Sequence, residues 1–224
     1  MADKGIIFSA PMVRALLAGR KTQTRRLLRN PEYYGCPTGD CPHDRQAECD
    51  AAMASLTAKE AGYAVGDRLY VREAAWIAPA GWTDSPINPM GPERREVAYV
   101  ADDQSGRTAE AASDYKLRQR PSIHMPRWAS RLWLSVTEVR VEQLQAISEK
   151  DCIAEGIYFE EIGFTAGHIG IAGCNQEWSA TPQMAYANLW RKLHTQTGTT
   201  WADNPWVVAV SFTVNCGNID GSPA

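Results

Sequence analysis

The sequence predicts an α+β fold built on a small β-barrel with flanking helices. Two segments alternate apolar and polar residues as strands do, one from Leu132 to Val141 and one from Trp206 to Val214. In the first segment the apolar parity changes near Thr137, which indicates a bulge that bends the strand as a small barrel requires. Helical spacing is confined to a few short segments, and several bent strands around few helices indicate this architecture.

Length and composition favour one globular domain. The chain has 224 residues, a formal net charge of -3 and 44% hydrophobic residues. We expect a single domain over 1–216, with insertions at about 30–62 and 77–93, and a flexible tail over 217–224. No apolar run reaches the roughly 20 residues that span a bilayer, and no export signal is recognisable at the start, so we expect a cytoplasmic protein without a membrane partner. The slight acidity excludes a wholly basic nucleic-acid binder.

The first half of the chain begins with a strand and a helix. An apolar run at 6–8 predicts an entering strand, and Ser9 is expected to cap a helix that ends at Gly19. The composition of 30–62 predicts an inserted loop with one helix. Alternation over 68–73 and 97–101 predicts two further strands, with loop between them. The polar stretch from Asp102 to Lys116 is expected to be mobile.

The second half predicts two helices before the closing strand. Ser148 is expected to cap a short helix that runs through Glu155 and ends at Gly156. Apolar residues from Met184 to Leu193 recur at helical spacing, which predicts a second helix. The perfect alternation after Trp206 predicts the final strand.

A group of metal-ligating side chains falls within the first insertion. Its members are Cys36, Cys41, His43 and Cys49. Four such ligands are compatible with a structural zinc ion, although their spacing is looser than the paired Cys-x-x-Cys of zinc knuckles. The alternative is that they are unligated loop thiols. No cofactor is otherwise required by the sequence.

A basic, hydroxyl-bearing turn follows the first helix. It reads Gly-Arg-Lys-Thr-Gln-Thr-Arg-Arg from Gly19 to Arg26, and a second basic group lies between Arg107 and Arg131. Cationic surface of this kind is suited to phosphate or nucleic acid, and its alternative is solvated surface. Threonine hydroxyls between cations favour a site at 20–26.

This turn resembles the signature of the ASCH superfamily, Gly-x-Lys-x-x-x-x-Arg, with Gly19, Lys21 and Arg26 at its fixed positions. Stretches at 8–17, 66–73, 121–131 and 204–207 resemble ASCH-like proteins common in phages and prophages, so the resemblance covers nearly the whole chain. It implies a PUA-like barrel with flanking helices and loop insertions, and a bacterial host cytoplasm if the chain is phage-encoded.

One ASCH branch removes acyl groups from N4-acylated cytidine (N4-acetylcytidine-like substrates) with a Lys, a Thr and a Glu. Its Gly-Arg-Lys-Thr-x-Thr string is reproduced from Gly19 to Thr24, and the short helix at Ser148 resembles the one that carries its Glu. The resemblance therefore implies that Lys21, Thr24 and Glu155 are catalytic. It implies an N4-acylcytidine amidohydrolase whose partner is a modified cytidine nucleoside or a nucleic acid.

The residue types suit amide hydrolysis, which needs a nucleophile, a base and a proton donor. Thr24 is expected to attack, to position a water or simply to cap a turn. Neighbouring Arg20, Arg25 and Arg26 are expected to lower the pKa of Lys21, and a position at a helix C-terminus is expected to raise that of Glu155. The alternative is a direct, inert Lys21–Glu155 ion pair. Two other functions remain open: a non-catalytic RNA, DNA or modified-base binding module, and a ribonuclease.

Several residues outside the turn are further candidates for binding. Glu73 follows a strand and is expected either at a pocket rim or as a structural partner of Arg72 or Arg68. His124, Arg127 and Trp128 form a group in which the aromatic ring can stack on a base while Arg127 holds phosphate. The alternative for Trp128 is a place in the core.

Overall fold

The computed structural model describes residues 3–29, 58–78, 97–103, 105–114, 116–160, 163–166 and 178–221. The described chain is a mixed α+β protein and divides into two compact units, each assembled from separated segments. The first unit consists mainly of Ala18–Asp67 and Ser135–Thr213. The second consists of Asp3–Leu17, Arg68–Leu134 and Val214–Ala224.

The helices and strands of the described residues follow one another as a mixture of short and long elements. In chain order they are β1 (Asp3–Ile7), α1 (Ala10–Leu17), β2 (Gln23–Leu27), α2 (Ala58–Ala61), β3 (Arg68–Arg72), β4 (Ala75–Ile77), β5 (Val97–Tyr99), α3 (Arg107–Asp114), β6 (Gln119–Arg120), β7 (Leu132–Gln143), α4 (Glu149–Ala154), β8 (Tyr158–Glu160), β9 (Gly163–Thr165), α5 (Pro182–Leu193) and β10 (Trp206–Cys216). Single 3₁₀ turns lie at Ser122–His124, Arg127–Ala129 and Leu144–Ala146.

The first unit packs α4 and α5 around a compact apolar cluster. Its buried members are Leu144, Ile147, Cys152, Ile157, Ala185, Tyr186, Trp190 and Val207. In the adjoining sheet β10 lies between β7 and β2 and runs antiparallel to β2. The strands β8 and β9 form a separate antiparallel pair. Leu27 at the end of β2 also packs against this cluster, so its burial holds α4 and β2 on a common scaffold.

The second unit contains a parallel strand pair and a small antiparallel sheet. The strand β1 runs parallel to β3, and β4 lies between β5 and β6. Its core holds side chains that are at most 3% exposed, among them Ile6, Phe8, Val13, Leu16, Leu69, Val71, Leu132 and Leu134. The alternation in β3, with Leu69 and Val71 buried, is the period-2 pattern of a half-buried strand.

Most elements predicted from the sequence are found where they were expected. The helix α1 begins directly after Ser9, and Gly19 follows it with φ of 68°, a conformation that favours glycine. The segment 102–116, which its polarity predicts to be mobile, contains α3 at its centre, and Ala112 of this helix is completely buried. The apolar residues of this helix are alanines, whose small side chains give only a weak helical pattern in an otherwise polar stretch.

The barrel expected from the sequence is not seen as a closed sheet. In the described strands, β1 and β2 are edge strands, so the pairing does not return on itself. The tail predicted as flexible from 217 instead contains the buried residues Asn218 and Ile219. The Asn218 amide nitrogen lies 2.9–3.0 Å from the carbonyl oxygens of Arg127, Trp128 and Ser130, and these hydrogen bonds hold the turn. None of the described helices is both long enough and apolar enough to cross a bilayer.

Candidate active site

The strand β2 divides the residues of the basic turn between two faces. Arg25 is paired with Ala209 of β10, Gln23 with Ser211, and Thr24 with Val210. Successive side chains of a strand point to opposite faces, so Gln23 and Arg25 share one face and Thr24 lies on the other. The residues of this site all belong to the first unit.

Lys21 precedes β2 and contacts Glu155 directly. Its Nζ donates to Glu155 Oε2 at 2.6 Å and to the Glu155 carbonyl oxygen at 2.8 Å. The side chains of Lys21 and Glu155 are only 1% and 4% exposed. A second tether lies beside the pair, because the Thr22 amide donates to the Ala154 carbonyl oxygen at 2.8 Å. The two residues thus form the direct ion pair that the sequence offered as the alternative to separate catalytic roles, and the pair is buried.

The helix α4 supplies Glu155 at its C-terminal end. The Ser148 hydroxyl accepts from the Asp151 amide at the N-terminal end, as an N-cap does, and Glu155 is the C-cap residue. Gly156 then takes φ of 100°, which terminates the helix. The sequence predicted both ends of this helix correctly, and its length of six residues places Glu155 one turn beyond Asp151.

Burial lowers the pKa of the Lys21 ammonium. Removal from water disfavours the charged form, and the nearby Glu155 carboxylate opposes this effect by attracting the charge. Arg26 and Arg25 lower the pKa further by like-charge repulsion. The sequence-based expectation therefore has the correct direction, but burial rather than the arginines is the main cause.

Arg25 lies beside the Lys21–Glu155 pair and forms ion pairs with three carboxylates. Its guanidinium nitrogens lie 2.5 Å from Glu142, 3.3 Å from Asp151 and 3.4 Å from Glu155 Oε1, and the side chain is inaccessible to solvent. It also donates to Gln23 Oε1 at 2.6 Å. The two oxygens of Glu155 therefore face different cations, with Oε2 on Lys21 and Oε1 on Arg25.

Asp151 is the second anionic centre of the site. It accepts hydrogen bonds from Gln23 Nε2 at 3.1 Å and from Arg140 at 3.0 Å, and its other oxygen accepts from the Ser148 hydroxyl. Burial raises the pKa of this carboxyl, but the hydrogen bonds from Ser148 and Gln23 and the two nearby guanidiniums outweigh it and lower the pKa below its ordinary value. Asp151 is therefore held as a carboxylate.

A cavity of about 510 Å³ opens next to these residues. It is lined by Thr22, Gln23, Thr137, Glu138, Arg140, Ser148, Lys150, Asp151, Ala154, Ser211 and Phe212. This volume is within the range of about 300–1,000 Å³ that small-molecule sites have. The lining is mostly polar and carries charges of both signs.

Thr24 is not brought to this cavity in the structure. It is 1% exposed, and its neighbour across the sheet is Val210, which is fully buried. The residue of the turn that is both exposed and part of the cavity lining is Thr22. Of the other cations in the turn, Arg20 is exposed and its guanidinium lies 4.4 Å from the centre of the Tyr158 ring, and Arg26 is half-buried.

Glu73 belongs to the second unit and is one of its most deeply buried carboxylates. It is 1% exposed and forms two hydrogen bonds, of 2.9 and 3.1 Å, with the Arg131 guanidinium. Arg131 also pairs with Asp102 and lies 3.8 Å from the centre of the Tyr99 ring. Burial raises the pKa of Glu73, and Arg131 opposes the shift. Its structural partner is thus Arg131, and not Arg72 or Arg68 as the sequence suggested.

The proposed nucleic-acid group at 124–128 also lies in the second unit. Arg127 is within 2.6 Å of both Asp3 and Asp220, and these carboxylates raise the pKa of its guanidinium. His124 is exposed, and Trp128 is 40% exposed rather than in the core. Arg127 therefore pairs with carboxylates of its own chain at the position where a phosphate was expected.

The zinc prediction concerns Cys36, Cys41, His43 and Cys49, which lie outside the described residues. Within the described part of the chain, no cluster of three or more metal-ligating side chains is found.

Apart from the capping role of Ser148, sequence reasoning missed the polar residues that line the cavity or contact Arg25. These are Gln23, Glu138, Arg140, Glu142, Ser148 and Asp151. One signal was present in the sequence. Lys21, Gln23 and Arg25 are spaced two positions apart, and alternation along a strand predicts that the side chains of Gln23 and Arg25 lie on one face. Comparison of the chain with family models, with curated proteins and with solved structures finds no match in any of the three.

Proposed function

We propose that this protein is an ASCH-like amidohydrolase that removes acyl groups from N4-acylated cytidine, with a PUA-like barrel as its underlying architecture. One observation carries the proposal: the Lys21 Nζ atom lies 2.6 Å from Glu155 Oε2 in a buried pair. The resemblance implies a catalytic role for both residues, and a direct, inert ion pair is the alternative that the sequence leaves open. Their contact joins two residues that are 134 positions apart in sequence, and this supports the assignment of both to one site.

The pair is suited to moving a proton between its two members. Burial disfavours the charged lysine, so transfer of a proton from Lys21 to Glu155 produces a neutral amine beside a neutral acid. The amine then takes a proton from water as the water oxygen bonds to the acyl carbon. The carbon–N4 bond breaks, and Glu155 returns its proton to the departing N4 amine. The products are cytidine and a carboxylic acid, so one water is consumed for each amide cleaved.

The neighbouring cavity is the substrate site in this proposal. Thr22 and Ala154 line it, and they are the direct sequence neighbours of Lys21 and Glu155. Cavities of this size accept a nucleoside, and polar groups around it are available to orient the base. The reacting amide is thereby expected to meet the pair at the cavity wall formed by these two residues.

The ion pairs of Arg25 favour hydrolysis of an amide on a modified base over recognition of a phosphate backbone. Arg25 is surrounded by Glu142, Asp151 and Glu155, and a guanidinium with three carboxylate neighbours has little left for a phosphate. The same pairing weakens a ribonuclease mechanism, which needs cations directed at the phosphorane-like transition state.

The proposal is tested by incubating the protein with N4-acetylcytidine and measuring cytidine by chromatography. Lys21→Met and Glu155→Gln remove the ionisable groups and keep similar volumes, and circular dichroism verifies that each variant is folded. We expect turnover by wild type and a loss of at least about 100-fold in both variants, within the range that general acid–base groups contribute. The matched control is Lys192→Ala, an exposed lysine at the end of α5.

Release of cytidine at equal rates by wild type and Lys21→Met would reject the proposed site. Binding of N4-acetylcytidine without any release would reject hydrolysis and would leave a modified-base binding module as the function.

A further inference from the structure

We propose that Thr22, and not Thr24, supplies the hydroxyl that contacts the ligand at this site. The inference rests on the proposed function for its choice of ligand. It departs from the role that the resemblance assigns, because the resemblance places the threonine of the site at the second threonine of the turn. The structure distinguishes the two threonines by burial, by strand position and by access to the cavity.

Thr24 is buried on one face of the sheet. It is the second residue of β2, it is 1% exposed, and it stands opposite Val210, whose side chain is completely buried. Gln23 and Arg25 lie on the other face of the strand, and these residues contact Asp151 and Glu155. A hydroxyl on the face of Val210 cannot reach a ligand that lies against Glu155 unless β2 separates from β10.

Thr22 is exposed and forms part of the cavity wall. Its amide donates to the Ala154 carbonyl oxygen at 2.8 Å, and its own carbonyl oxygen accepts from the Phe212 amide at 2.9 Å. Both partners also line the cavity. The backbone of Thr22 is therefore held between the end of α4 and β10, and its position relative to Glu155 is fixed without use of its side chain.

Of the other three hydroxyls in the cavity wall, two have defined partners, and the third, on Thr137 of β7, is next in sequence to neither Lys21 nor Glu155. Ser148 bonds to Asp151 as the helix cap, and Ser211 lies between Gln23 and Glu138. The hydroxyls of Ser148 and Ser211 therefore already form hydrogen bonds with charged or amide side chains. Thr22 is the hydroxyl of this wall that follows Lys21 directly, so it is the one suited to hydrogen-bond an acylated base, or its attacking water, beside the ion pair.

Thiol protection tests this inference without relying on turnover. Thr22→Cys and Thr24→Cys are each treated with a small alkylating reagent, with and without N4-acetylcytidine or cytidine, and the modified peptide is identified by mass spectrometry. We expect the thiol of Thr22→Cys to be alkylated in the native protein and to be protected at least about fivefold by saturating ligand, because bound ligand covers the site. Cys at 24 is expected to react only after unfolding.

The inference would be overturned if the thiol of Thr24→Cys reacted in the native protein and were protected by ligand. It would also be overturned if neither ligand changed the alkylation of Thr22→Cys. Kinetics provide the second measurement, since Thr22→Val is expected to lose turnover at least about tenfold whereas Thr24→Val keeps it. Protection of the thiol in Thr22→Cys, together with no release of cytidine by the wild-type protein, would support this inference and reject hydrolysis. Turnover that survives Thr22→Val, without protection at 22, would do the reverse.

Discussion

The Lys21 Nζ atom donates to both the carboxylate and the carbonyl oxygen of Glu155, at 2.6 and 2.8 Å. The two acceptors belong to the residue that ends α4, so the lysine also satisfies a carbonyl that the helix leaves exposed at its C-terminal end. A cation at this end interacts favourably with the helix dipole. Lys21 is thus a C-terminal partner of α4 as well as half of an ion pair, and both roles depend on its complete burial.

Truncation of the lysine is expected to destabilise the protein strongly. Lys21→Ala leaves the Glu155 carboxylate buried with only the longer contact to Arg25, and breaking a buried pair on one side costs about 3–5 kcal/mol. The double variant Lys21→Met with Glu155→Leu removes both charges, and we expect it to recover most of this loss. Urea unfolding measures the difference. Equal stability of Lys21→Ala and the exposed control Lys192→Ala would contradict the role of the pair.

At low pH we expect Asp151 to lose its contribution to the free energy of unfolding. Its pKa is lower in the folded protein than in the unfolded chain, so the carboxylate stabilises the fold above the unfolded pKa of about 3.9. This stabilisation is lost as the pH falls through the folded pKa. We expect Asp151→Asn to cost about 1.5–3 kcal/mol at pH 7, a typical loss for hydrogen bonds to a charged group. The gap to wild type should narrow below about pH 4, and urea unfolding at several pH values measures it; a gap that does not change with pH would be inconsistent with the ionised hydrogen bonds.

In the second unit, the buried Arg131–Glu73 pair is expected to contribute to stability. Arg131→Met leaves Glu73 buried and without its guanidinium, and we expect a loss of about 3–5 kcal/mol at pH 7. Burial already raises the pKa of Glu73, so acidification protonates the unpaired carboxyl and the loss should shrink towards pH 4. Asp102→Asn is the control, because Asp102 is half-exposed and its pair with Arg131 is worth less than about 1 kcal/mol.

Loss of the cap on α4 is expected to affect activity as well as stability. Ser148→Ala removes the hydroxyl that accepts from the Asp151 amide, which costs about 1 kcal/mol in typical helices. Fraying of this short helix also displaces Glu155 at its other end, so we expect deacetylation to fall several-fold. Ser148→Thr should restore both properties. The exposed Ser113→Ala is the control, and a comparable loss of stability there would show that the effect is not due to capping.

Local signals in the sequence predicted much of the first unit but not its polar network. Ser148 and Gly156 fix the two ends of α4 by capping and by a left-handed turn, and the alternation after Trp206 identifies β10. These features depend on a few neighbouring residues. The contacts of Arg25 with Glu142 and Asp151 depend instead on how β2 and α4 meet in three dimensions, which no local pattern encodes.

The structure places one residue and one segment differently from the linear sequence. The resemblance groups Thr24 with Lys21 along a linear motif, whereas alternation along β2 places Thr24 on the face opposite Gln23 and Arg25. The stretch around α3 was read as mobile from its polarity, although alanines at 109, 111 and 112 favour a helix. The partner of Glu73 was beyond sequence reasoning, since Arg131 lies 58 positions away and nearer arginines were available.

The division of each unit among separated segments affects how the protein is made. Neither unit has all of its chain until β10 has been synthesised, because this last strand contributes Trp206–Thr213 to one and 214–216 to the other. The apolar side chains that β10 covers therefore remain exposed until this strand has been synthesised. A nascent chain that has not yet reached β10 would present an incomplete, aggregation-prone sheet edge.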